Sequence, residues 1–139
     1  MNDLLKLHHV GIVVGDIEEY CSYQFLEQRS LIIEDPNQKA LICFLNTKNN
    51  CLIELIQPAK EDSPTYKFLS QGGGYHHLCY EISSLEKVDL LITQYRMLKI
   101  MGPLPSVAFY GAEVVFCYTW NKDIIEFVIS TTSPIIRWE

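Results

Sequence analysis

One pattern occurs twice in this chain and limits what it can fold into. Leu7-His8-His9-Val10-Gly11-Ile12-Val13-Val14 is matched by Tyr75-His76-His77-Leu78-Cys79-Tyr80-Glu81-Ile82, each a His-His pair running into an apolar strand. A polar break with a helix-start signal follows each copy, Asp16-Ile17-Glu18-Glu19 in the first half and Ser83-Ser84-Leu85-Glu86 in the second. Two halves on one plan indicate an internal duplication. With 139 residues, 48% of them hydrophobic, the chain suits one compact domain with a sizeable core, so the halves are expected to be half-domains of a single unit.

Each half can be followed from its residues. The first strand, from about Leu7 to Val14, places His9, Gly11 and Val13 on one face and His8, Val10, Ile12 and Val14 on the other. Asp16 and Glu19 form a capping box for a helix whose stripe is Ile17, Tyr20, Cys21 and Phe25, expected to end near Arg29. Leu31-Ile32-Ile33, Ala40 to Leu45 and Cys51 to Gln57 read as strands, divided by the turns Asp35-Pro36-Asn37 and Asn46 to Asn50. The connector, Pro58 to Gly74, holds a short helix from Ser63-Pro64-Thr65 through Leu69 and the run Gly72-Gly73-Gly74. A phosphate-cradling loop would lead into a helix, and this glycine run leads into a strand, so a flexible hinge is expected.

In the second half, Ser83 is the expected cap of a helix with Leu85, Val88, Leu91, Ile92, Tyr95 and Leu98 on one face, reaching about Lys99 before Gly102 and Pro103 stop it. Pro105 to Phe109, Ala112 to Trp120 and Asp123 to Ile129 supply strands, with turns at Tyr110-Gly111 and Asn121-Lys122. The expected fold is α+β, a single domain of two βαβββ modules at about 5–58 and 75–131, with a connector at 59–74 and a short C-terminal tail.

Charge and composition exclude several classes. A net charge of −6 with 11 Lys plus Arg leaves no basic stripe for a phosphate backbone, so no nucleic-acid partner is expected. No apolar run approaches the roughly 20 residues that span a bilayer, and Met1-Asn2-Asp3 does not begin a signal peptide. The expectation is a cytoplasmic protein with no membrane partner. Cys21, Cys43, Cys51, Cys79 and Cys117 are odd in number and lack Cys-x-x-Cys spacing, which fits reduced, buried thiols.

The last strand of each half carries one acid in an apolar run: Glu54 in Cys51-Leu52-Ile53-Glu54-Leu55-Ile56 and Glu126 in Asp123-Ile124-Ile125-Glu126-Phe127-Val128. A carboxylate there is costly to bury unless it is paired, hydrogen-bonded or bound to a metal. Any one of them is most simply an exposed strand residue, but the match between halves calls for a cause. His9 precedes Glu54 by 45 residues and His77 precedes Glu126 by 49, so each half offers one imidazole and one carboxylate. His9, Glu54, His77 and Glu126 make a four-ligand set suited to a divalent metal, Zn, Ni, Co, Mn or Fe, with positions left for water or substrate. The second histidine of each pair is the better ligand, because His9 shares its face with Gly11, which leaves room for a cavity. His8 and His76 are assigned structural or exposed roles.

These motifs, together with Ile53-Glu54-Leu55-Ile56-Gln57-Pro58 and Ile124-Ile125-Glu126-Phe127, resemble the vicinal oxygen chelate superfamily, which includes glyoxalase I, methylmalonyl-CoA epimerase, extradiol dioxygenases and bleomycin-type resistance proteins. The resemblance runs from Leu7 to about Ser130. It implies curved sheets closing into a cup around a divalent metal held by His9, Glu54, His77 and Glu126, and a homodimer, side by side or with exchanged modules. The nearest patterns are methylmalonyl-CoA epimerase and glyoxalase I. The epimerases usually have Gln where Glu54 stands, and the position of their second acid-base Glu corresponds here to Ile42.

The function this implies is an isomerase or lyase acting through a metal-stabilised enolate on a small carbonyl or thioester substrate, with Glu126 as base and Glu54 as second choice. Two rivals are weighed beside it. A metal-free drug-binding or resistance protein would line the cup with Tyr75, Tyr80, Phe109, Tyr110, Tyr118 and Trp120, and an Fe(II) extradiol dioxygenase would use His9, His77 and Glu126 and leave Glu54 without a task.

Overall fold

Two runs of backbone, each a strand, a helix and three more strands, account for most of the chain. The computed structural model describes residues 5–130 and 134–139, so the Met1-Asn2-Asp3 start and the expected module end at Thr131 lie outside the described residues. The chain divides into two compact units, His9–His76 with Ile136–Glu139 and Met1–His8 with His77–Ile135.

In the first run, β1 (Lys6–Val13) is followed by α1 (Ile17–Ser22), β2 (Ile33–Asp35), β3 (Ala40–Asn46) and β4 (Leu52–Pro58). The strand order is β2-β3-β4-β1, with β1 parallel to β4 and the other pairs antiparallel. Alternation sends Val14, Cys43, Leu45 and Leu55 to the face covered by Ile17 of α1. Asp16 caps α1, accepting from the Glu19 amide at 2.8 Å, as the capping box requires.

That helix stops at Ser22, well short of Arg29. Ile17 is its one buried residue, while Tyr23 and Phe25 are 87% and 86% exposed, so no burial rewards a further turn. The chain instead runs out to bridges at Arg29–Leu45 and Ser30–Trp138, the Leu31 amide donates to the Arg137 carbonyl, and the strand expected at Leu31 begins at Ile33. After β4, α2 (Tyr66–Ser70) starts from Thr65, because the Ser63 hydroxyl is used on the Gln38 carbonyl at 2.7 Å. The Gly72 and Gly73 amides close α2 by donating hydrogen bonds to the carbonyls of Leu69 and Phe68. A Cβ on Gly73 would stand 2.8 Å from the Val13 carbonyl oxygen, so the run is a packed helix end where the sequence suggested a hinge.

The second run holds β5 (Gly74–Ile82), α3 (Leu85–Gln94), β6 (Leu98–Pro105), β7 (Glu113–Tyr118) and β8 (Ile124–Ile129) in the order β5-β8-β7-β6, with β5 parallel to β8. Ser84, one residue past the expected cap, accepts from the Lys87 amide at 3.3 Å. Val88 and Leu91 of α3 pack on Ile82, Val115, Cys117 and Phe127. The helix ends at Gln94 because Tyr95 and Leu98 find no core, being 59% and 66% exposed, and Leu98 instead pairs with Tyr118 at the start of β6. Gly102 and Pro103 fall where the β6–β7 register shifts, and a Cβ on Gly102 would overlap the Val114 carbonyl. Val107–Phe109, expected as strand, is a 3-10 turn. The five cysteines are free, Cys43, Cys79 and Cys117 being buried. Among the described residues no helix is long and apolar enough to cross a membrane.

Candidate functional site

The parallel pairing of first and last strands places the histidine and the carboxylate within each run. Gly11 is the partner of Glu54 in the β1–β4 ladder, and Cys79 is the partner of Glu126 in the β5–β8 ladder. His9 and His77 stand two residues before those partners and therefore share the face of the carboxylate. His9 Nε2 lies 3.4 Å from Glu54 Oε1, and His77 Nε2 lies 3.0 Å from Glu126 Oε1. The four are nearly sealed, at 0%, 3%, 1% and 2% exposure. A carboxylate so deeply buried must be matched by a donor or a cation, and each histidine turns its Nε2 toward one.

The antiparallel neighbours add a feature that spacing alone did not reveal. Phe44 is the ladder partner of Glu54, and Phe116 is the ladder partner of Glu126. Each ring meets its histidine edge to face, Phe44 with His9 at 5.6 Å and Phe116 with His77 at 5.8 Å. Each ring thus packs edge to face on the imidazole of its own run. The signal was present, since each phenylalanine stands ten residues before its glutamate.

The first histidine of each pair has other company. His8 is buried with its ring against Phe109 at 5.0 Å, and the half-buried His76 meets Phe68 at 5.0 Å. Ile42, fully buried, precedes Phe44 by two and thus lies on the face of Glu54, with no acid-base group to offer. Two further carboxylates escaped notice. Glu81 follows Cys79 by two on the face of Glu126, with Lys6 Nζ at 3.6 Å. Asp35 is buried, and burial pushes its carboxyl above the usual range despite the amides of Gln38 and Asn37; the charge of Glu54 adds to the shift.

The family model described as Glyoxalase/Bleomycin resistance protein/Dioxygenase superfamily matches residues 8–98, more than half of the chain. The chain belongs to that superfamily. A curated relative in Cereibacter sphaeroides, ethylmalonyl-CoA/methylmalonyl-CoA epimerase, is 29% identical over 124 residues, covering 81% of this chain and 87% of that one. A solved structure of a hypothetical protein from Bacillus halodurans matches with a TM-score of 0.75 at 27% identity, over 94% of this chain and 98% of the other. Methylmalonyl-CoA epimerase from Mycobacterium tuberculosis matches in fold, with a TM-score of 0.76 at 20% identity over 95% and 93%. The glyoxalase-like fold implied by the resemblance is thus the fold of this superfamily member, and the matched strand-helix-three-strand runs are its two modules.

Proposed function

We propose that His9, Glu54, His77 and Glu126 together hold one divalent cation, and that the protein is an isomerase or lyase that moves a proton next to the carbonyl of an acyl thioester or related small carbonyl compound. One observation carries this reading: each module buries an Nε2 and a carboxylate oxygen facing each other at the same ladder position, backed by the same aromatic ring. Two imidazole nitrogens and two carboxylates suit a borderline divalent ion, and where a nitrogen and a carboxylate oxygen face each other in each pair, a cation satisfies both. The thioester class rests on the 29% identical epimerase relative.

A bound cation would supply Lewis-acid polarisation of the substrate carbonyl. Glu126 then acts as the base that takes the carbon-bound proton, held in place by His77 and Phe116. Glu54 stands in the same relation to His9, a symmetry that gives it the work a three-ligand dioxygenase would leave undone. With Ile42 on the site face, the residue expected to return a proton from the opposite side is absent, which favours one-base chemistry.

Metal content and thermal shift with added divalent ions test the centre, using wild type, His77→Ala and Glu126→Gln. Metal-induced stabilisation is expected in wild type and its weakening in both variants. A wild type that neither contains nor responds to any divalent ion overturns the proposal. Solvent-deuterium exchange into methylmalonyl-CoA and ethylmalonyl-CoA tests the chemistry, with loss of exchange expected in Glu126→Gln.

A further inference from the structure

The two runs support their phenylalanine differently. In the second, β6 is eight residues long and its Met101 pairs with Phe116, so the strand carrying that ring has strands on both sides. In the first, β2 is three residues long and pairs with Ala40, Leu41 and Ile42, stopping two residues short of Phe44. Ser30 fills the place. Its amide donates to the Phe44 carbonyl at 2.8 Å, and its hydroxyl accepts from the Phe44 amide at 2.8 Å, a side-chain oxygen standing where a strand neighbour would present a carbonyl. Ser30 is fully buried, so no water replaces these bonds once they open.

Ser30 is backed in turn by Ile136–Glu139. Trp138 bridges to Ser30, the Arg137 carbonyl accepts from the Leu31 amide at 2.9 Å, and the Glu139 amide donates to the Arg29 carbonyl at 3.0 Å. The Glu139 carboxylate also meets Arg29 Nε at 2.9 Å. All of these residues belong to one compact unit, His9–His76 with Ile136–Glu139. No residue of the segment is buried. Backbone hydrogen bonds and one ion pair with little apolar burial make an attachment that opens locally at low cost. The path from it to the candidate centre is short: the segment holds Arg29 and Ser30, Ser30 holds the Phe44 backbone, and Phe44 packs on His9 and pairs with Glu54. The His9–Glu54 pair at its end is the looser of the two, at 3.4 Å against 3.0 Å for His77 and Glu126.

We propose that Ser30 and the segment Ile136–Glu139 position His9 through Phe44, so that seating of the segment and occupation of the centre by a divalent ion favour each other. This rests on the cation reading given above and adds a control on its His9–Glu54 half. An ion that draws His9 and Glu54 together needs Phe44 in place. Linkage then requires the ion to hold the segment down by the same factor by which the segment strengthens the ion.

Two variants of the full chain test this. Glu139→Pro removes both the amide that donates to Arg29 and the carboxylate beside its guanidinium, at an exposed position. Ser30→Ala removes the hydroxyl that holds Phe44. In metal-free protein the imidazole nitrogen resonances of His9 are expected to move in both variants while those of His77 stay. In titrations with Co²⁺ followed by its visible absorption, Glu139→Pro is expected to bind about fivefold more weakly than wild type or worse, and Ser30→Ala about tenfold more weakly with an altered absorption band. Saturating Co²⁺ should slow hydrogen exchange over residues 134–139 of wild type by the factor that Glu139→Pro costs in affinity. A segment that only adds stability would lower the unfolding midpoint of Glu139→Pro and leave the His9 resonances, Co²⁺ affinity and absorption band as in wild type, and that result overturns the proposal. A wild type that takes up no Co²⁺ overturns the cation reading and the coupling with it, and the metal-free His9 resonances then decide the positioning role by themselves.

Discussion

Nε2 of His77 lies 3.0 Å from Oε1 of Glu126, a hydrogen bond, whereas the same atoms of His9 and Glu54 are 3.4 Å apart, beyond good hydrogen-bond length. The two pairs match in ladder position and differ in closeness. In metal-free protein, His77→Ala removes a donor from a buried carboxylate and is expected to cost about 1–3 kcal/mol, more than His9→Ala. Urea unfolding in the presence of a chelator measures both, and equal costs would remove the distinction drawn between the pairs. Glu126→Gln keeps an acceptor at the same place and should cost less than His77→Ala.

Phe116 carries the second prediction. Its ring fills the space beside His77 and is 5% exposed. Phe116→Ala is expected to destabilise by about 3–5 kcal/mol, while Phe116→Leu should lose less because it leaves a smaller cavity. If the ring also orients the imidazole, Phe116→Leu weakens metal binding at a stability close to wild type. Calorimetric titration of that variant with a divalent ion decides it, and wild-type affinity would reduce Phe116 to a packing role.

The paired histidines and glutamates were legible in the sequence because they recur, and recurrence survives small errors in element boundaries. The ends of elements were not legible, for a shared reason. Phe25 continues the α1 stripe and Leu98 continues the α3 stripe, yet both side chains lie at the surface, at 86% and 66% exposure. Periodicity records what a helix would bury if a partner were there, and only the tertiary fold supplies the partner. The glycine run misled in the opposite sense: permissive backbone suggested looseness, but Gly73 is held against Val13 because nothing larger fits. Phe44 and Phe116 went unremarked because an aromatic residue in an apolar strand is the ordinary core pattern, and ladder register alone sets it opposite a carboxylate.

Asp35 gives a pH prediction. Burial raises its carboxyl in the folded protein, so the folded state holds the proton more tightly than the unfolded chain. The associated stability is complete below the unfolded pKa, near pH 4, and is lost as pH rises through the folded value. Asp35→Asn retains an oxygen for the Asn37 and Gln38 backbone amides, which now donate at 2.9 and 3.2 Å to one carboxylate oxygen, and the Gln38 side-chain amide, which donates to the other at 3.1 Å, can turn over to accept from the new NH2 group. The variant is therefore expected to match wild type at pH 3.5 and to exceed it in stability at pH 7. Chemical denaturation at the two pH values checks the sign, and a variant less stable than wild type at pH 7 would show that the charge itself holds the turn.

Gly73 and Gly15 separate conformational need from mere flexibility. Gly73 has φ +66, and its added Cβ would meet both the Val13 carbonyl oxygen at 2.8 Å and the Leu69 side chain at 3.3 Å. A side chain there is strained by the left-handed backbone and also forces β1 and the end of α2 apart. Gly15, between β1 and α1, has no atom within 4 Å of its added Cβ and no positive φ. Gly73→Ala is expected to destabilise by about 1–3 kcal/mol, and Gly15→Ala to be neutral or to stabilise slightly by restricting the unfolded chain. Because Val13 ends the strand that carries His9, Gly73→Ala should also lower affinity for a divalent ion at the candidate centre, and Gly15→Ala should not. Paired thermal melts with and without the ion read both effects, and a Gly73→Ala protein as stable as wild type would mean that the run is the free hinge its composition suggests.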